Sequence, residues 1–355
     1  MALKLGRLKL LLLIIVIATS IFFLGFSGTC PKNLSGLAEV DNLLQAGNVS
    51  LKRFRYVHPH KFSIVAEKEF RLKGKAIEAA RKLIRDLEKG YNTRPVEMEN
   101  GVRCLPKLVL VTAISSNHFN ELIAHLTPAE KILPHEKIVV YDLGLNQQEI
   151  DQLNSIPYVE YRKFNLPRFP EHVKNLHTYA FKPLIIAETL AQFGGVMWMD
   201  SSVVLVKDYS YQNLMERMIK KKSGFLYYVS PSRHSIIFAT HKQMFDYLPM
   251  KGRNETKANM AQATGMILFN TEYMLRNVMK WVILCSLHED CIAPKGAQLE
   301  CDFSLPDDVF GGCHRYDQSL FATLVSNAYN DEMHRYRLDG EEYPASVDRY
   351  EENKE

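Results

Sequence analysis

Apolar and polar residues follow three different rhythms along this chain, and each predicts a different kind of structure. From Leu10 to Phe26 no charge interrupts a run dominated by Leu, Ile, Val and Phe. At about 1.5 Å per residue such a helix would measure roughly 25 Å, just enough for a thin bilayer. Residues 27–102 show no strong sheet pattern. Within them Ala76, Ile77, Ala80, Leu83, Ile84 and Leu87 recur at three- and four-residue steps, which predicts an amphipathic helix over 66–90. Such a helix is expected to lie on the main domain rather than form a seam between two chains.

After Pro106 short apolar runs begin to alternate with helical patterns. Leu108–Thr112 and Ile138–Tyr141 read as strands, with a helix over 117–126 between them. Asn146 with Glu149 three residues on is a capping box opening a further helix. Tyr158–Arg162 makes a half-polar strand. Pro183, placed at the first helical position, opens a nearly all-apolar helix over 184–191 that Gly194-Gly195 ends. Val196–Met199 lacks alternation and reads as a strand buried on both faces. This order predicts an α/β fold, a mainly parallel sheet flanked by helices, over residues 103–338. Ligands bind such sheets beyond the carboxyl ends of the strands, which directs attention to Thr112–His118, Asp142 and Asp200. No internal repeat is present, and residues 339–355 form an acidic tail.

Charge changes the picture at the N-terminus. The chain has 355 residues with 44 Lys and Arg against 40 Asp and Glu, and Lys4, Arg7 and Lys9 account for most of the excess. The remainder is nearly neutral, which argues against a nucleic-acid partner. The basic flank predicts a cytosolic tail over 1–9 and a retained signal anchor over 10–26. The alternative is a cleaved signal peptide, with Gly25-Phe26-Ser27 before the cut and a secreted product. Either way the rest, from a stem over 27–102 onwards, is expected in a lumen or outside the cell. Asn33, Asn48 and Asn254 begin glycosylation triplets that agree with this.

The cysteines agree as well. Cys285, Cys291, Cys301 and Cys313 fall in a Gly- and Pro-containing stretch that reads as a loop stapled by two disulfides, with three pairings open. A metal site there, helped by His288 or His314, is the weaker reading, since no C-x-x-C pair exists. Cys104 opens the main domain, and Cys30 just beyond the anchor could bridge two chains. A homodimer could therefore form through the stem or Cys30. His58-Pro59-His60 reads as loop, and Lys220-Lys221-Lys222 as a solvated helix end.

Asp200 carries the strongest chemical signal. A carboxylate ending a buried strand is costly unless water, donors or a cation satisfy it, and a divalent ion bridging it to phosphates would do so. Asp142 ends another strand and reads equally as a ribose or base acceptor or as an ordinary turn residue. Ser115-Ser116-Asn117 opens a helix, where amide groups meet an anion or where these residues simply cap it.

Together these residues resemble a known superfamily. An early strand, a helix-borne Lys182-Pro183, the block Gly194-Gly195-Val196-Met197-Trp198-Met199-Asp200-Ser201-Ser202 and a late Asp317-Gln318 look like GT-A fold glycosyltransferases. The fuller resemblance is to a nematode-rich uncharacterised family catalogued as domain of unknown function 1647. It runs through His177–Ile186 and Trp198–Ser202 and covers roughly 103–338. It implies a Rossmann-like GT-A sheet, a nucleotide-diphosphate sugar as donor, a glycan-type acceptor, and a divalent cation, Mn or Mg, held at Asp200.

The implied roles follow residue by residue. Asp200 matches the first acid of the superfamily's Asp-x-Asp, whereas Ser202 stands where the second acid belongs, a neutral and weaker ligand. Asp317, His314 or His334 would have to complete the site, or the metal binds weakly or not at all. Lys182 falls where a cation faces the phosphates. Thr264-Gly265 resembles a turn flooring the sugar pocket, Gly265 letting a ligand approach the backbone. Asp317-Gln318 resembles the pair beside the donor sugar, though Asp317 also reads as the N-cap of a helix over 319–328. The implied donor site comprises Thr112, Ala113, Ser115, Asp142, Lys182, Ser202, Thr264, Gly265 and Gln318. Asp200 and Asp317 are the catalytic candidates, Asp317 as base if the anomeric centre inverts.

The expectation is a Golgi or other secretory-pathway type II membrane glycosyltransferase with a lumenal domain. Its alternative is a non-catalytic, lectin-like or structural protein of the same fold. A third reading is a secreted cysteine-stapled binding module with the α/β part as scaffold.

Overall fold

The computed structural model describes residues 70–93, 98–99, 102–103, 108–132, 137–205, 214, 217–218, 220–221, 223–250, 259–338 and 343–347. The expected anchor, Cys30, Cys104, the three glycosylation triplets and the acidic tail apart from residues 343–347 lie outside them. Among the described residues no helix is long and apolar enough to cross a membrane.

Six strands form the central sheet: β1 (Leu108–Ile114), β2 (Ile138–Asp142), β3 (Val159–Lys163), β4 (Gly195–Met199), β6 (Phe225–Tyr227) and β9 (Gly265–Phe269). Their spatial order is β3-β2-β1-β4-β9-β6. The first four are mutually parallel, whereas β9 runs antiparallel to both its neighbours. Three small ladders accompany the sheet: Met98–Glu99 with Val102–Arg103, β5 (Val203–Leu205) with β10 (Ala345–Val347), and β7 (Pro231–Ser235) with β8 (Asn259–Ala261). The runs without alternation are strands buried on both faces, β2, β4 and β9 being wholly buried.

Helices cover both faces. α1 (Lys75–Thr93), α4 (Phe181–Phe193), α5 (Lys280–Ser286) and α6 (Asp317–Tyr329) pack on the face bearing Val111, Trp198 and Leu268. α2 (Phe119–Ile132) and α3 (Gln147–Asn154) cover the face bearing Leu110, Met197 and Ile267. The fold is thus mixed α/β, with a mainly parallel central sheet between two helical layers.

Three local differences from the sequence reading have simple causes, and two other details agree with it. The amphipathic helix starts at Lys75, after Gly74 at φ 51°, and runs on to Thr93. Its apolar face, Ala76, Ala79, Ala80, Leu83 and Leu87, is buried in the same core as α4, which places it on the domain. α4 begins two residues before Pro183, so that proline is third in the helix rather than first. The difference costs nothing, because no amide of the first turn has an intrahelical partner to lose. The capping box forms as expected, Asn146 accepting from the Glu149 amide and Glu149 from that of Asn146. Asp317 is the first residue of α6, not its cap; Tyr316 takes that place at φ 44°. Lys220 is exposed, as a solvated helix end should be.

The four cysteines pair as Cys285–Cys291 and Cys301–Cys313, which selects one of the three pairings. The stretch thus becomes two separate short staples.

Candidate functional site

Three charged side chains from distant parts of the chain meet at the carboxyl end of the sheet. Lys182 comes from the first turn of α4, Asp200 from the end of β4 and Asp317 from the first turn of α6. β9 makes the meeting possible: Gly265 pairs with Met199, and the Asp200 amide donates to the Thr264 carbonyl at 2.8 Å. The Lys182 Nζ lies 2.9 Å from Asp200 Oδ1 and 2.6 Å from Asp317 Oδ2. It also donates to the Ala263 carbonyl at 3.3 Å. Lys182 and Asp317 are almost fully enclosed, with side chains 4% and 7% exposed, while Asp200 keeps 25%.

The energetics follow from this enclosure. Burial works against the Lys182 ammonium, but Asp200 and Asp317 outweigh it and hold its pKa above the ordinary value. For Asp317, burial is the larger influence and exceeds the pull of Lys182, so its pKa is raised. One ammonium against two carboxylates leaves the cluster with an excess negative charge, which proton uptake by Asp317 would relieve. Asp317 Oδ2 is held by the Lys182 ammonium at 2.6 Å, a charge-assisted contact that ties the two buried side chains together. The Tyr227 hydroxyl, whose pKa burial and then nearby Tyr336 and Asp317 push upward, is buried without a partner. Thr264 Oγ1 is another such atom.

Trp198 is a member of this cluster that the sequence reading missed. Its indole Nε1 donates to Asp200 Oδ1 at 2.6 Å, its ring lies 5.7 Å from the Lys182 Nζ, and its carbonyl accepts from the Tyr228 hydroxyl. The turn after Asp200 is clamped from α2. His125 Nδ1 donates to the Ser201 carbonyl at 2.6 Å, and Ser201 Oγ donates to Glu121 at 3.2 Å. Tyr179 (φ 53°) and Tyr316 (φ 44°), left-handed and hence uncommon for such residues, precede the turns that carry Lys182 and Asp317, their rings 5.9 Å apart.

Other expected site residues are used differently. Asp142 is buried, and its Oδ1 accepts from the amides of Gly144 and Leu145 while Oδ2 accepts from Tyr161. Its carboxylate thus holds the loop after β2, the turn role. Ser115 is exposed and donates to Asn117. Thr112, fully buried with an unpartnered hydroxyl, shares a strand face with Leu110 and Ile114, on the side of the sheet that α2 and α3 cover. Its neighbour Ala113 is half-buried against the opposite core. Ser202 is half-buried in the clamped turn, and Gln318 donates to Ser232 Oγ at 3.4 Å. A Cβ on Gly265 would come within 2.3 Å of Val229 and 2.9 Å of Tyr228. Those side chains fill the space reserved for an approaching ligand, so packing accounts for this glycine.

The donor set does not fit a divalent cation. An ammonium already sits between the two acids, and one Asp200 oxygen is shared with an indole donor. Among the described residues no group of three His, Cys, Asp or Glu is placed to hold a metal. His314 does not complete one: its Nδ1 accepts from the His241 amide and its Nε2 donates to the Ile292 carbonyl. His288 belongs elsewhere, beside the Cys285–Cys291 staple, with Phe70 and Tyr247.

Residues 46–187 match the model of a family described as "Protein of unknown function (DUF1647)". The match begins within the expected stem, takes in His177–Ile186 and stops before Asp200. No curated protein sequence matches the chain. Among solved structures, the galactosyltransferase LgtC with donor and acceptor sugar analogues is 10% identical, over 67% of this chain and 86% of that one, with a TM-score of 0.35. The mannosyltransferase Ktr4p from S. cerevisiae is 8% identical, over 65% and 78%, also at 0.35. The bifunctional glycosyltransferase WbbM is 14% identical at 0.33, and this chain spans only 37% of it. Likenesses at this level carry no argument about chemistry.

Proposed function

We propose that this protein is a glycosyltransferase that moves a sugar from a nucleotide-sugar donor to a glycan, protein or lipid acceptor. In this reading it is a type II membrane protein with its domain in the lumen of the Golgi or another secretory compartment. The observation that supports it is the convergence of Lys182, Asp200 and Asp317 beyond the carboxyl ends of the strands, the usual place for ligands on an open α/β sheet. The Tyr227 hydroxyl is buried without a hydrogen-bond partner, and a sugar hydroxyl can satisfy it.

In this reading each of the three has a role that its position supports. Asp200, the most exposed of the three, meets the ligand first, held in place by Trp198 Nε1 and Lys182. Lys182 supplies a fixed positive charge beside the leaving group. In an inverting transfer Asp317 takes the acceptor proton, and its raised pKa suits it for that. A retaining transfer would need no base there.

One observation favours the non-catalytic alternative. Lys182 is engaged by Asp200, Asp317 and the Ala263 carbonyl together, the arrangement of a cluster that serves packing alone. Two measurements separate the readings. Binding of nucleoside diphosphates or nucleotide sugars to the folded chain should raise its melting temperature by mass action. Donor-sugar hydrolysis, screened across a panel, should fall at least about a hundredfold in Asp200→Ala, the scale of losing one catalytic electrostatic contact. No thermal shift with any nucleotide would overturn the enzyme reading, and undiminished hydrolysis in the variant would overturn the role of Asp200.

A further inference from the structure

The loop closed by Cys301–Cys313 has a surface unlike the rest of the molecule. Of the six large apolar side chains exposed among the described residues, five lie on it or at its edge: Leu299, Phe303, Leu305, Val309 and Phe310. Phe303 is 69% exposed and Phe310 48%. Every residue from Asp302 to Phe310 is exposed, so this is a continuous surface. It also carries Glu300, Asp302, Asp307 and Asp308, with no Lys or Arg from Leu299 to Cys313. The loop is fixed in place. The disulfide closes it, the Gly311 amide donates to the Phe238 carbonyl at 2.8 Å, and Asp307 accepts from the Ser235 amide at 2.7 Å. An ordered surface that is both apolar and acidic calls for a partner that is apolar and basic.

The chain contains such a segment. From Leu51 to Ala66 there is no acid, while Lys52, Arg53, Arg55 and Lys61 are interleaved with Phe54, Tyr56, Val57 and Phe62. It leads into the domain beside the loop. The Phe70 ring packs 5.4 Å from Tyr247, and Phe245 of that same helical turn lies 6.3 Å from Phe310. Asp246 and Asp290 line the cleft next to Arg71, extending the acidic path toward the point of entry. Residues 51–69 could span roughly 60 Å when extended, so reach is no obstacle. The family match starts at residue 46 and so takes in this segment together with the domain.

We propose that residues 51–65 dock on the acidic, apolar face of the Cys301–Cys313 loop within the same chain, basic side chains on its acids and aromatic rings against Phe303 and Phe310. The loop runs straight into His314–Asp317. This docking does not depend on sugar transfer and would hold for the non-catalytic reading as well.

Zero-length carbodiimide cross-linking of the full-length chain, read by peptide mass spectrometry, tests it. Lys52 or Lys61 should join to Glu300, Asp302 or Asp308 within one chain. Replacing both Phe303 and Phe310 by Ser should lower the yield about tenfold, the change expected for losing a modest apolar contact. The triple change K52E/R53E/R55E should expose the loop, and combining it with D302K/D308K should restore its protection from hydrogen exchange. Cross-links only between two chains would overturn the proposal in favour of a second copy. Protection of the loop only when neutral phosphatidylcholine vesicles are added would overturn it in favour of a lipid surface. Absence of any cross-link, with the loop exchanging freely in the unaltered chain, would overturn it outright.

Discussion

Asp142 and Asp200 end strands on either side of β1, at the same edge of the sheet, and the molecule treats them in opposite ways. Around Asp142 every partner is a neutral donor, from the loop that follows it or the adjacent strand: the amides of Gly144 and Leu145 and the hydroxyl of Tyr161. Around Asp200 the partners are an indole N–H and an ammonium, and that ammonium is shared with a second carboxylate more than a hundred residues away. The first arrangement is closed and local. The second is charged and long-range, and it leaves the buried hydroxyls of Tyr227 and Thr264 without partners. Position at a strand end is therefore no guide to use by itself. What separates a loop fastener from a candidate site is whether the hydrogen-bonding capacity is exhausted at home.

The largest expected effect comes from removing the shared cation. Lys182→Met would leave two enclosed carboxylates facing each other, and urea denaturation should show a loss of about 3–5 kcal/mol. Asp142→Asn keeps an oxygen for the two amides and should cost only about 1 kcal/mol. Equal losses in the two variants would erase the distinction. Trp198→Phe sharpens it further: it removes the indole donor to Asp200, a hydrogen bond to a charged group worth about 1.5–3 kcal/mol, and the smaller buried ring adds a cavity cost on top. A loss well below that range would mean that Lys182 alone holds Asp200.

The smallest effect at neutral pH distinguishes two groups on one short segment. Burial holds the His314 imidazole down to about 4, outweighing its bond to the Ile292 carbonyl, so it is neutral in the folded chain. Its contribution to stability is complete above the ordinary histidine value and is lost as pH falls from about 6.5 towards 4. Asp317, with its pKa raised, behaves in the opposite sense, contributing most when protonated and losing that as pH rises through its folded value. His314→Gln should flatten the acid limb of a stability-against-pH profile and leave the Asp317 limb intact. An unchanged acid limb would move the acid sensitivity elsewhere.

Much of the fold could be read directly, because the relevant signals are local. Strands buried on both faces show as unbroken apolar runs, and the box at Asn146 and Glu149 is written within four residues. Phe225–Tyr227 and Pro231–Ser235 were not anticipated, being short strands whose existence depends on the edges beside them. In the site, Lys182, Asp200 and Asp317 each attracted attention singly. The resemblance put them in one site but not in direct ion pairs, because those depend on the antiparallel insertion of β9, which no pattern within β4 or α6 announces. Nothing in the sequence marks Trp198 as more than a core residue, and the left-handed conformations of Tyr179 and Tyr316 have no glycine to signal them. Gly265 gave a true signal of crowding, but its cause lies in Tyr228 and Val229.

The contact between α1 and α4 has a practical consequence. Lys182 sits in the first turn of α4, and the apolar face of that helix is shared with Ala76, Ala80, Leu83 and Leu87 of α1. A protease that trimmed the chain after Thr93 would thus remove a supporting wall of the helix that aims the lysine. Shed or recombinant fragments should keep their full carboxylate cluster only if they begin ahead of Phe70.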